Sequence, residues 1–251
     1  MRAPVDTILA PAFPARLPWV NTAKAPSTIQ RGRPLLVEFW DFCRPNSLRT
    51  LPYVKAWHGR YGEEGLRVVG VHCPGFDPSR SESAVRAAVG RLAITYPVLV
   101  DSELELWREY ENEGWPARYL FDGRARLFEF HYGEGGYLET ELAIQELLGV
   151  RREPLGAMRP EDAPGARLCP QTEDKPGAYC GPYEAGGVWA VLDGSGTVHV
   201  SAGGNAVEVA VEHPGAYPLV EHERHRTGVL EVVLGRNVRC YATCFTPGVA
   251  A

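Results

Sequence analysis

The stretch from Glu38 to Pro52, EFWDFCRPNSLRTLP, limits the possible folds more than any other part of the chain. Pro34 to Trp40 is a short apolar run and predicts a buried strand. From Ser47 onward Leu48, Leu51, Val54 and Trp57 recur at a helical spacing. Asp41 to Asn46 is then a strand-to-helix turn. The backbone N–H groups that open such a helix lack intrahelical partners and favour an anion in the turn. Cys43 sits there beside Arg44, a setting that favours a thiolate over a thiol.

Downstream, apolar strands alternate with amphipathic helices, which predicts an α/β layer architecture. Leu66 to His72 reads as a second, parallel strand and Tyr96 to Asp101 as another. Ser83 to Ile94, with Val85, Ala88, Val89 and Leu92 three or four apart, predicts a helix. Glu103 to Glu111 predicts a helix with Leu106 and Tyr110 on one face. Ala117 to Phe121 and Arg124 to His131 flank Asp122-Gly123, the signature of a hairpin whose two-residue turn needs a positive φ at the glycine. Leu138 to Leu148 closes this region as a helix.

The expected division is residues 1–150 as one domain, 151–166 as a Pro-, Glu-, Arg- and Gly-containing linker without period, and 167–251 as a second domain. In the last of these, Val188 to Leu192, Thr197 to Val200, Val207 to Val211, Tyr217 to Val220, Gly228 to Leu234 and Val238 to Phe245 are short β-rich runs. Gly, Pro, Asn and Asp separate them, the pattern of a small all-β sandwich. Residues 1–33 are Pro- and Ala-rich and read as mostly irregular.

Of the 251 residues 45% are hydrophobic and the formal charge is −5, so no basic footprint exists for nucleic acid or an anionic membrane. No window approaches the roughly 18–20 apolar residues of a membrane span. The broken, proline-interrupted start MRAPVDTILAPAFPARLPW does not match a secretory signal, so a cytoplasmic location is expected. In that compartment six cysteines read as thiols and not as a disulfide framework.

The order strand, Trp40, turn, helix containing Pro52, then the strand RVVGVH resembles the thioredoxin fold. LRTLPYVKAW followed by VVGVHCPGF is similar to TlpA-like thioredoxin domains of the DipZ type. APAFP and LPWVNT resemble the first strand of such domains, and the segment between the second strand and Trp115 resembles their central insertion. EHPGAYPLVEH, TGVLEVVL and NVRCYATCFTPG resemble the C-terminal β-domain of DipZ-like proteins, a domain likened to carbohydrate-binding modules; no sugar is assigned to it here. The resemblance implies a cis Pro116 after Trp115, facing the active-site turn. It also implies a C-x-x-C pair whose second cysteine stands five residues before the helix proline. Those two places hold Arg44 and Ser47, and Cys43 stands one residue early.

Cys43 is accordingly the candidate nucleophile, or else a buried side chain packing under the helix. With Ser47 in the second family position, a mixed disulfide at Cys43 has no internal thiol there to release it. Cys73, after the neighbouring strand, is the alternative resolving thiol if the two Cα atoms lie within roughly 4.4–6.8 Å. Strand alternation sends His72 and Cys73 to opposite faces. Cys240 and Cys244, pointing the same way about 13 Å apart along a strand, cannot share one zinc ion. His213, His222 and His225, expected around turns, read as a solvated loop. Asp41, Glu111 and Glu113 are expected near the active-site edge, where a carboxylate opposes thiol ionisation.

Two readings follow. One is a thiol–disulfide oxidoreductase acting on a disulfide-containing or thiol substrate, protein or small molecule. In it Cys43 attacks, Cys73 or an external thiol resolves, and Trp40, Arg44, Asn46, Ser47, Trp115 and Pro116 form the substrate groove. The other is a redox-inactive thioredoxin-like scaffold whose β-domain offers a ligand or partner surface. Neither reading calls for a cofactor or metal.

Overall fold

The computed structural model describes residues 1–3, 7–22 and 32–250. Part of the irregular N-terminal stretch, residues 4–6 and 23–31, therefore lies outside the described residues. The chain divides into two compact units. One comprises Met1–Asp41 and Asn46–Leu155, the other Phe42–Pro45 and Gly156–Ala251.

The first unit has a thioredoxin-like α/β fold. Its strands are β1 (Trp19–Val20), β2 (Leu35–Trp40), β3 (Arg67–His72), β4 (Val98–Val100), β5 (Ala117–Phe121) and β6 (Leu127–Tyr132). They form one mixed sheet in the order β1-β4-β3-β2-β5-β6. β2, β3 and β4 run parallel, while β1, β5 and β6 pair antiparallel with their neighbours. Every residue of β2 is buried, as expected for a central strand covered on both faces.

Among the described residues four α-helices accompany the sheet: α1 (Pro45–Tyr61), α2 (Glu82–Arg91), α3 (Glu105–Glu109) and α4 (Tyr137–Leu148). α1 buries Leu51, Val54, Trp57 and Tyr61, residues three or four apart, and keeps Pro52 on its exposed side. Ser81 opens α2 by accepting the Ala84 N–H at 3.2 Å. Gly149, at φ +67°, ends α4 in the left-handed conformation that suits a glycine.

One face of the sheet carries Val37, Phe39, Val69, Val71, Cys73, Ala117 and Tyr119 in a continuous apolar core. By strand alternation Glu38, Trp40, Gly70, His72 and Arg118 occupy the other face. The indole of Trp40 lies so close to Gly70 that a Cβ there would meet Nε1 at 3.0 Å. A glycine is needed at that point for packing.

The hairpin between β5 and β6 differs from the expected two-residue turn. Asp122 N–H donates to Arg126 O and Ala125 N–H to Asp122 O, each at 2.9 Å. Ala125, at φ +61°, takes the left-handed position in place of Gly123. The reason is the Asp122 side chain, whose Oδ1 accepts from both Arg124 and Arg126 N–H at 2.8 Å and stabilises a longer loop.

The second unit is all-antiparallel. β7 (Lys175–Pro176), β8 (Gly181–Gly194), β9 (Gly196–Ala202), β10 (Asn205–Val211), β11 (Gly215–Leu234) and β12 (Val238–Thr246) form one sheet in the order β10-β9-β11-β8-β12-β7. Two runs expected as separate strands, Tyr217 to Val220 and Gly228 to Leu234, belong to the single twenty-residue β11, whose register shifts at Pro218/Val220 and Glu221/Arg226. Ladder hydrogen bonds on both sides of the shifts carry the strand through the polar stretch between them. His222 and His225 are thus strand residues and not turn residues; Tyr183 hydroxyl lies 2.9 Å from His222 Nε2.

A second irregularity corrects the expectation for Cys240 and Cys244. They stand opposite Leu192 and Trp189 of β8, three residues apart, because the register slips between Cys240 and Ala242. One extra residue in β12 turns the two thiols to opposite faces.

Candidate functional site

The carboxyl ends of β2 and β3 are built by the first unit, and their geometry is set by two buried aspartates. Asp41, following β2, is fully buried; its Oδ2 accepts the Gly75 N–H at 2.7 Å and its Oδ1 lies 3.5 Å from His72 Nε2. His72 in turn sits edge-on to Trp40 with ring centroids 5.0 Å apart. Asp101, following β4, caps α3. Its Oδ1 accepts the Glu105 N–H at 2.7 Å and its Oδ2 the Trp107 N–H at 2.9 Å.

The same Asp101 Oδ2 accepts the Cys73 thiol at 3.5 Å. Cys73 has no exposed surface, and its N–H donates to Trp40 O at 3.0 Å. Burial pushes this thiol well above the ordinary cysteine range; the Asp101 charge, its hydrogen bond and the Asp41 charge push it further. At neutral pH Cys73 is therefore a protonated thiol, the unreactive form. The opposition expected between Asp41 and thiol ionisation falls on Cys73.

The other sequence candidates take distinct places. Cys43 is fully buried, in the segment Phe42–Pro45 that groups with the second unit, as is the half-buried Arg44. Asn46 is exposed in the first turn of α1. Ser47 is buried and its Oγ accepts the Asp41 N–H at 3.2 Å, closing the turn after β2. Trp40 is fully buried in the core, so packing excludes direct substrate contact. Trp115 is half-buried; its Nε1–H donates to Cys73 O at 2.9 Å, and its ring lies 4.2 Å from that of Trp107. The Trp115–Pro116 peptide bond is cis.

No disulfide joins any of the six cysteines. Cys180 Sγ instead accepts the Val232 N–H at 3.3 Å. Among the described residues no group of three or more His, Cys, Asp or Glu side chains is placed to hold a metal ion, and no helix is long and apolar enough to cross a membrane.

Two groups on the Trp40 face were not anticipated from sequence. Glu38 and Arg118 face each other in the β2–β5 register, both fully buried. Burial raises the Glu38 carboxyl to about 8, against the opposing pull of Arg118 and a Tyr96 hydroxyl at 3.4 Å. Each residue is visible in the sequence as a charge inside an apolar run, yet their pairing depends on strand register.

No family model matches the chain. It is 33% identical over 163 residues to Protein DipZ of Mycobacterium tuberculosis, covering 61% of this chain and 24% of that protein. It is 28% identical over 130 residues to the thiol-disulfide oxidoreductase YkuV of Bacillus subtilis, covering 52% of this chain and 87% of that one. Among solved structures, a thioredoxin-like protein studied in its oxidised form superposes with a TM-score of 0.51 at 26% identity, over 56% of this chain and 95% of that one. The chain spans about a quarter of the length of the DipZ relatives it matches.

Proposed function

Starting from a thioredoxin-like chain with relatives among thiol-disulfide oxidoreductases of the TlpA/DipZ type, we propose that this protein uses the fold as a binding scaffold and performs no thiol–disulfide exchange. The observation that carries this reading is the state of Cys73, sealed from solvent and kept protonated by that burial and, in addition, by Asp101. Exchange requires an accessible thiolate. The complete burial of Cys43 supports the same reading, as does the presence of Arg44 and Ser47 where the resembled domains keep their cysteines. In this scaffold Asn46 and Trp115 meet the ligand, while Trp40, Ser47 and Pro116 hold the edge from within.

Alkylation of the native protein with iodoacetamide across pH tests the reading. Cys43 and Cys73 are expected to stay unmodified until the chain is unfolded. Native-state modification of Cys43 with an apparent pKa below about 8.5, the free-thiol value, overturns it in favour of the oxidoreductase with Cys43 attacking. The double substitution R44C/S47C sharpens the result: it is expected to reduce insulin where the native protein does not.

A further inference from the structure

A cleft of about 560 Å³ opens in the first unit, lined by the end of α3, strands β5 and β6, and the N-terminal residues Ile8, Leu9 and Pro11. Its size is that of a small-ligand site. Tyr110, Tyr119, Phe121, Phe130 and Tyr132 supply aromatic surface. Glu109, Glu111 and Glu113, all exposed, line it as well, and among the described residues no Lys, Arg or His does. Glu111 and Glu113, expected near the edge beside Trp115, line this cleft.

The N-terminal wall is fixed to the hairpin by its backbone. Leu127 N–H donates to Ile8 O at 2.8 Å, and Ala10 N–H to Ala125 O at 2.9 Å. Ile8 and Leu9 nonetheless keep 46% and 61% of their surface exposed, so apolar area remains uncovered at the mouth.

The polar inventory is one-sided. Tyr119 hydroxyl donates to Asn112 Oδ1 at 2.8 Å and meets Tyr132 hydroxyl at 3.3 Å. Tyr110 is only 8% exposed, and its buried hydroxyl has no hydrogen-bond partner among the described residues. Burial raises both Tyr110 and Tyr119; the Glu109 charge adds to the first shift, and the Tyr132 hydrogen bond and charge, then Tyr110 and Glu113, add to the second.

We infer that this cleft binds a protonated amine carried on an apolar body. The aromatic faces attract the cation and cover the apolar part, and the three glutamates supply the countercharge. An anionic ligand would meet three like charges, and a neutral one would forgo the charge attraction. The cleft involves none of the cysteines, so the inference stands apart from the scaffold reading.

Calorimetric titration of the full chain with 4-phenylbutylamine, 4-phenylbutanol and 4-phenylbutanoate at pH 7 tests it. The amine is expected to bind saturably, one per chain, at least about tenfold more tightly than the alcohol, with no binding of the carboxylate. E109Q/E111Q/E113Q, at exposed positions, is expected to weaken the amine about tenfold and leave the alcohol unchanged. Absent or non-saturating amine binding, equal affinity for amine and alcohol, or amine binding unaltered in that variant overturns the inference.

Discussion

The two units stabilise their interiors in different ways. The first unit buries Glu38, Asp41, His72, Asp101, Arg118, Glu129 and Glu141, whereas among the described residues of the second the buried polar side chains are Thr243 and Thr246. Its core cluster is aliphatic and aromatic throughout. A buried charge is tolerable only when partnered or neutralised. The first unit uses both devices, with Glu141 partnered and Glu38 held neutral. Its stability is consequently tied to pH and to single side chains, while that of the second rests on apolar area and ladder bonds.

The contrast is sharpest at Glu141. Its carboxylate accepts from Tyr61 hydroxyl at 2.6 Å, Leu155 N–H at 2.9 Å and Trp57 Nε1–H at 3.2 Å, with Arg60 at 3.6 Å. E141A strands three donors and is expected to destabilise the first unit by about 3–5 kcal/mol. Denaturant titration followed by tryptophan fluorescence measures it, because Trp19, Trp40, Trp57, Trp107 and Trp115 lie in that unit and Trp189 alone in the other. A loss below about 1 kcal/mol would remove the distinction between the units.

Next comes pH. The folded Glu38 carboxyl holds its proton up to about 8, whereas the unfolded chain releases it from 4.5. Its contribution to stability is full below 4.5 and is lost as pH rises toward 8, at a slope of about 1.4 kcal/mol per unit. Native protein is therefore expected to lose stability relative to E38Q between pH 5 and 8, and parallel stability curves for the two proteins would contradict the assignment. Strands β8 and β12 are expected to show no such dependence in amide exchange.

The smallest effect probes the second unit's exception. Thr243 Oγ1–H donates to Gly177 O at 2.8 Å and the oxygen accepts the Tyr179 N–H at 3.1 Å. T243V is expected to lower stability by about 1–2 kcal/mol at all pH values, read from exchange of β12 amides. A pH-dependent loss would mean that the second unit also carries a titrating interior group.

Sequence patterning carries the α/β order, the six-strand succession and the site's neighbourhood, because periods of 2 and 3.6 are local properties. Where reading failed, the cause was non-local. The extra residue after Cys240 turns Cys244 to the other face without any marker in VRCYATCF. The Asp122 side chain, and not the adjacent glycine, decides the hairpin loop. At the candidate site the positions of Cys43 and Cys73 were legible and a buried Cys43 was one of two readings, but the choice between them and the burial of Cys73 were not, since packing from distant segments determines both. Asp101 illustrates the same limit: its carboxylate reaches back 28 positions to Cys73.

Strand β11 has one further consequence. Gly215 to Leu230 lie against β8, and Leu230 to Leu234 against β9, so a single length of chain is the spine from which both halves of the sheet hang. The β9–β10 arm cannot peel away from the rest without baring Leu230 and Val232 beneath it. This half of the molecule therefore has no natural seam, and it is built to open as one cooperative block.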